Sequence, residues 1–201
     1  MNDKRGQLYF SNDIEADGPI PGQNSMLSCG FAAFELDPRE PQGGRLIETW
    51  SANLQLLDGA VEDPDTIRWW NETPEKREAY ARTRENTVHP EAAMKSLVSW
   101  VDELANPRKM KAIYVGYPAT YDFLFTYWYL QRFAKRSPFG FQGFDMKTAA
   151  AIKLDIPFNQ VGKRDMPAEW KGTEPHTHLA VDDAIEQGWM FCRMMKWRKK
   201  T

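Results

Sequence analysis

Cysteine is scarce in this chain: Cys29 and Cys192 are the only two in 201 residues. They lie far apart with no ligand spacing around them, which argues against a disulfide framework or a cysteine-rich zinc site and leaves two buried, reduced thiols. No apolar run approaches the roughly 20 residues of a membrane span. The first six residues are polar and open no hydrophobic leader, so the sequence reads as soluble and cytoplasmic, with no membrane partner. There is no Gly-x-Ser-x-Gly elbow and no P-loop, which removes serine-hydrolase and nucleotide-kinase chemistry. Positive charge is not in excess either: 26 Lys and Arg face 28 Asp and Glu, a formal net charge of -2. A protein that coats nucleic acid is usually basic, whereas an enzyme that holds cations concentrates acids at its site.

Large core side chains are plentiful. Hydrophobic residues make up 42% of the chain and aromatics 13%, with 8 Trp, a composition that excludes disorder and suits one domain over residues 1–201. Three strands are expected first, over 7–12, 26–36 and 46–57, with turns at Gly22-Gln23-Asn24 and Gln42-Gly43-Gly44. Short connections make them an antiparallel meander. Thr73-Pro74-Glu75 then reads as an N-cap, a first-position proline and a first-turn acid. A second helix opens at Pro90, where Ala93, Leu97, Trp100, Val101 and Leu104 share one face. A strand over 111–115, an aromatic helix over 120–135, a shorter one over 146–154, an irregular stretch over 155–177 and a last helix over 178–197 complete the order. This is an α/β pattern: a mixed sheet with helices on its faces, whose sites lie where loops converge at strand ends.

Three places have the residue types for chemistry. Asp13 and Glu15 stand two apart at the end of the first strand, so their carboxylates share a face while Ile14 takes the other. Adjacent like charges call for a cation between them, although a solvated strand end explains the triplet without chemistry. Asp122 follows a strand and the turn Gly116-Tyr117-Pro118-Ala119, either as a helix-start acid near the dipole's positive end or as a third carboxylate at the sheet edge. His178 and Asp183 precede and open the last helix. His176-x-His178 with Asp183 is also a weak transition-metal pattern, while His89 before Pro90 looks like a helix-start residue.

Taken together, these residues resemble the DEDDh 3'-5' exonucleases of the ribonuclease H-like fold. The first motif of that family, Asp-x-Glu, reads here as Asp13-Ile14-Glu15. The second reads as Tyr114-Val115-Gly116 through Asp122-Phe123, and the third, His-x4-Asp, as His178 through Asp183-Ala184. The segment Thr66-Ile67-Arg68-Trp69-Trp70 and the helix ending Ser99-Trp100-Val101 are similar to a bacterial subgroup, the mycobacterial-type 3'-5' exoribonucleases that trim RNA overhangs. Two positions depart from the common pattern: Tyr117-Pro118 stands where many members have His-Asn, and Ala16 where Thr is frequent. Both lie where the terminal nucleotide would sit.

The resemblance implies a ribonuclease H-like sheet made of the meander plus parallel strands. It implies two Mg2+ or Mn2+ ions held by Asp13, Glu15, Asp122 and Asp183, with His178 as general base, and hydrolysis of terminal phosphodiesters to nucleoside 5'-monophosphates. Single-stranded RNA or DNA 3' ends are the implied partners, and a homodimer the implied assembly. Tyr117 and Tyr121 are the aromatics expected to bind the terminal nucleotide beside Ala16, with Tyr117 favoured because it lies in the turn. A DNA-directed exonuclease and a non-catalytic nucleic-acid-binding protein on the same fold are the competing readings. The basic run Arg193, Lys196, Arg198, Lys199, Lys200 suits either a phosphate-facing patch or a solvated helix end.

Overall fold

The computed structural model describes residues 6–172 and 177–198. Its centre is one five-stranded sheet. The elements are β1 (Gln7–Ala16), β2 (Met26–Leu36), β3 (Gly44–Asn53), α1 (Pro64–Trp70), α2 (Pro74–Thr83), α3 (Pro90–Ala105), β4 (Lys111–Gly116), α4 (Ala119–Tyr129), β5 (Gly143–Asp145), α5 (Met146–Leu154) and α6 (Ala180–Lys196), and the strand order is β3-β2-β1-β4-β5. β1, β2 and β3 form the expected antiparallel meander, and β4 and β5 add in parallel on the far side of β1. This mixed sheet with helices on both faces matches the ribonuclease H-like expectation.

Alternation along β1 sorts its side chains between two cores. Leu8, Phe10 and Ile14 join the cluster under α3 and α4, while Tyr9 packs against the cluster under α6. A period of two puts Asp13 and Glu15 on the α6 face. Between the acids and the hydrophobic half of the strand sits Asn12, fully buried. Its amide donates to the Gly30 carbonyl at 2.8 Å, and its Oδ1 accepts from the Tyr114 hydroxyl at 2.7 Å and the Thr126 hydroxyl at 2.9 Å. One buried side chain thus ties β1 to β2, β4 and α4, and a buried polar group so fully paired fixes a single arrangement.

The boundaries differ from the sequence expectation in instructive ways. β1 runs to Ala16 rather than stopping at 12, because β2 pairs along it as far as Ala16 opposite Met26. The acidic pair is therefore inside the strand. β3 ends at Asn53, with Leu54 beyond it in an isolated bridge to Val88 and its N–H donating to the Leu27 carbonyl at 2.8 Å. α1 was not expected, although it carries the same signal as the helix after it: Asp63 caps it by accepting from the Thr66 N–H at 2.8 Å, and Pro64 opens it. β5 is three residues long and pairs only with β4, too little for any sequence pattern. The aromatic helix is α4 followed by a π turn over Leu130–Ala134. His89 caps α3, its Nδ1 accepting from the Glu91 N–H at 3.2 Å, and both cysteines are buried and free.

α6 lies across β1 and β2 at glycine contacts. A Cβ placed on Gly30 of β2 would fall 2.3 Å from the Ala180 carbonyl carbon and the Val181 nitrogen, and one on Gly188 of α6 would fall 2.0 Å from Phe34 Cε2. Backbone cannot yield as a flexible side chain does. Gly30→Ala is therefore expected to cost about 1–3 kcal/mol through overpacking, and each kcal/mol lowers the melting temperature by about 2–4 °C in a domain of this size. Thermal unfolding checks this, and an unchanged transition would mean that α6 slides freely over the strand.

Candidate active site

The pairing of β1 with β4 stops at Ser11 opposite Val115. Beyond it β1 continues alone while the chain leaves β4 through Gly116, where a Cβ would lie 2.9 Å from the Ala119 Cα. This tight turn starts α4 beside the open edge of β1. Asp122, in the first turn of α4, is 5% exposed and lies beside the Ile14 N–H, which favours its charged form. Asp13 and Glu15 project from β1 toward α6, opposite Gly30 and Ser28 of β2. Asp183, 1% exposed in the first turn of α6, follows the Ala180–Val181 peptide that lies over Gly30. The first turns of α4 and α6 both favour a carboxylate near the positive end of the helix dipole.

His178 sits just before α6 in a left-handed conformation with φ 56°, which a non-glycine residue adopts only when its surroundings impose it. The bracing is visible. The Thr177 N–H donates to Asp183 at 3.2 Å, its hydroxyl donates to Asp182 at 3.0 Å, and the Leu179 N–H returns a bond to that hydroxyl at 3.3 Å. The imidazole meets Trp69 edge to face at 5.4 Å between ring centroids, with Trp70 at 6.3 Å. α1 is itself hooked to the strand end, the Trp70 indole N–H donating to the Ala16 carbonyl at 3.1 Å. One ligand atom each of Glu15, His178 and Asp183 lies within 4.8 Å of the other two.

The electrostatics follow from this crowding. Burial, and then the charges of Asp13, Asp183 and Asp122, push the Glu15 carboxyl well above its ordinary range. Burial and Asp13 do the same to Asp122, against relief from the Ile14 N–H and from Lys163. Lys163 is also engaged by Glu186 at 3.0 Å. A hard divalent cation fits this donor set of four carboxylates and one imidazole, because it removes the repulsion that burial magnifies. The thiols offer no competing soft site: burial pushes both Cys29 and Cys192 up to about 12.

The structure brings Asp13, Glu15, Asp122, His178 and Asp183 to one end of the sheet. Tyr121 joins them: it is 38% exposed, its hydroxyl donates to the Gly18 carbonyl at 3.3 Å, and burial together with Asp122 and Glu15 raises its pKa. Ala16 is buried at the end of β1, next to Glu15. Tyr117 faces elsewhere, packed with the cluster under α6, its pKa raised to about 12 by burial and then by Asp145 and Asp165. His176 lies outside the described residues, as do Lys199 and Lys200. Arg193 and Lys196 of the basic tail are turned to the loop after β2, reaching Gln42 and, at 2.8 Å, the Glu40 carbonyl.

Sequence reasoning missed Gln187. It is 1% exposed, one turn beyond Asp183 on the same face of α6, and its Nε2 donates to Asp13 Oδ1 at 2.8 Å. The i, i+4 spacing from Asp183 was the available signal.

A mixed sheet with acids gathered where β1, α4 and α6 converge defines the ribonuclease H-like nuclease class. The solved structures agree on the fold: a full-length 3'-exonuclease aligns at a TM-score of 0.61 and 11% identity over 96% of this chain and 83% of that one. Escherichia coli exonuclease I with a dT13 oligonucleotide aligns at 0.59 and 14% over 96% of this chain, which spans 41% of that protein. The chain belongs to the 3'-5' exoribonuclease Rv2179c-like domain family, whose model matches residues 10–195, and is a 3'-5' exonuclease. It is 26% identical over 144 residues to the 3'-5' DNA exonuclease Cap18 of Escherichia coli, covering 71% of this chain and 67% of that protein.

Two outcomes are expected here. Gln187→Ala should leave the fold intact and weaken divalent-cation affinity or turnover by about 10–100-fold, the usual effect of losing a partner that orients a ligand, as titration calorimetry and hydrolysis rates will show. The second concerns pH. Folding raises the Glu15 and Asp122 pKa values, so the cost of charging them is absent below the unfolded carboxylate value of about 4 and grows as pH rises toward the folded values. In chelator, Glu15→Gln should therefore melt at the wild-type temperature near pH 4 and about 3 °C or more above it at pH 7. A difference independent of pH would contradict the repulsion.

Proposed function

We propose that this exonuclease removes nucleotides from single-stranded RNA 3' ends, with Asp13, Glu15, Asp122 and Asp183 as cation ligands and His178 as general base. The observation that carries the reading is the convergence of five residues from β1, α4 and the start of α6 at one sheet end, with Glu15, His178 and Asp183 within 4.8 Å. Mg2+ or Mn2+ held by the four acids would supply positive charge at the scissile phosphate and lower the pKa of the attacking water.

The chain's own groups do the rest. His178 takes a proton from the water that attacks the terminal phosphorus. The P–O3' bond breaks, the shortened strand keeps a 3'-hydroxyl, and a nucleoside 5'-monophosphate leaves. Trp69 and Trp70 hold the imidazole ring edge-on, so it meets the water without reorienting. The exposed ring of Tyr121 offers a face to the terminal base, and the small side chain of Ala16 leaves room beside Glu15. The family description supports RNA as substrate, while the similarity to a relative named as a DNA exonuclease favours DNA as the second reading.

A gel assay with 5'-labelled single-stranded RNA and DNA, with Mg2+, Mn2+ or EDTA, tests this. A metal-dependent ladder shortening from the 3' end, faster on RNA and absent in Asp13→Ala, is expected. His178→Ala should lose about 10²–10⁴-fold in turnover while keeping its cation affinity. Loss of cation binding in that variant would make His178 a ligand instead of a base.

A further inference from the structure

We propose that the outward face of α4 and the π turn after it form a subsite for the single-stranded tail upstream of the cleaved nucleotide, Trp128 stacking on a base and Arg132 meeting a phosphate. This rests on the exonuclease reading above, and goes beyond it in assigning a track that leads away from the acids.

Tyr121 marks where the track starts. Its hydroxyl bonds the Gly18 carbonyl at 3.3 Å, one helix residue before Asp122, and its ring is exposed. Seven residues further, two turns along α4, Trp128 projects on the same side, with Leu124, 51% exposed, between them. The Trp128 indole lies against the turn between β1 and β2: a Cβ on Gly22 would fall 2.7 Å from its Cζ2. Arg132 follows, exposed, in the π turn over Leu130–Ala134. Such turns are rare and frequently mark functional positions.

Trp128 and Arg132 wall two adjoining hollows. One of about 320 Å³ also holds Gly22, Leu56, His89 and Phe133, and one of about 430 Å³ holds Leu124, Tyr127, Gln131 and Lys135. Tyr121 and Arg132 are about 16 Å apart along the helix axis at 1.5 Å per residue, room for a few nucleotides of an extended strand. The charge suits a polyanion: Arg132 and Lys135 line the hollows against a single carboxylate, Asp58. Aromatic faces alternating with cations are how proteins hold single strands without reading their sequence. A hydrophobic protein partner would leave the cations without a role, and the continuity of the strip with Tyr121 at the acids favours the strand being cut.

The test compares Trp128→Ala and Arg132→Gln with wild type on a dinucleotide and on a 12-residue single strand, in Mg2+ or Mn2+. Each variant should raise KM for the 12-mer about tenfold, leave kcat within about twofold, and hydrolyse the dinucleotide as wild type does. Arg132→Gln should also reduce the slope of log KM against log salt by about one. Arg132 is at the surface, so that variant tests the idea even if Trp128→Ala fails to fold, and Trp128→Phe should retain most of the effect of the ring. Equal KM changes on both lengths, or none on either, would overturn the subsite. So would a KM change that follows loss of a dimer in sedimentation, which would make the strip an interface between two copies. If wild type cut neither substrate, the proposed function would fail first. Fluorescence anisotropy of a labelled 12-mer in EDTA would then still decide the strip, since unweakened binding by both variants would exclude it.

Discussion

Helix α6 reaches the sheet at Gly30, where the missing side chain lets the Ala180–Val181 peptide occupy the space a Cβ would fill. The position of the C-terminal part of the site follows from that contact. Asp13 is the register partner of Gly30 on β1, so the helix that touches the glycine passes directly over the first acid. Asp183 then lies within reach of Glu15, Gln187 meets Asp13, and the residues before the helix place His178 at the rim. A second close contact, Gly188 on Phe34, holds the helix further along. Cores are dense enough that such contacts have few alternative arrangements, and the site's geometry is correspondingly determined by packing some distance from the acids.

The acids themselves oppose the fold. Glu15 and Asp122 are buried in like-charged company, and both carboxyls are pushed upward by burial first and by their neighbours second. The protein tolerates this because an N–H group compensates at each point: the Ile14 backbone N–H beside Asp122, the Thr177 backbone N–H for Asp183, the Gln187 side-chain amide for Asp13. None of these carries a full positive charge, and Lys163 is shared with Glu186. The crowding that raises these two carboxyls as a cost to folding is also what makes the donor set fit a divalent cation.

The fold was legible to the extent that it rests on local chemistry. The alternation of Leu8 and Phe10, the turns at Gly22 and Gly43, and the Thr73-Pro74 and His89-Pro90 caps mark the meander and two of the helices, and the structure has them. What was missed depends on longer range. β5 pairs only with the edge that β4 offers it, and α1, though locally capped by Asp63, is tied to the strand end by the Trp70 bond to Ala16. Of the two aromatics near a motif, the turn position favoured Tyr117 over Tyr121. The turn into α4 directs one toward Asp145 and Asp165 and leaves the other beside the acids.

By itself, then, the sequence determined the family and the order of five candidate residues at strand ends and helix starts, with only two cysteines and three histidines to offer a softer metal site. Their identity is written in residue types and spacing, which depend only on neighbours along the chain. Only the tertiary structure decided which partners they keep: Gln187 on Asp13, Trp69 and Trp70 on His178, Gly30 under Ala180. These contacts join segments up to 174 positions apart, and no local pattern encodes a distance that arises only once a helix has packed on a sheet.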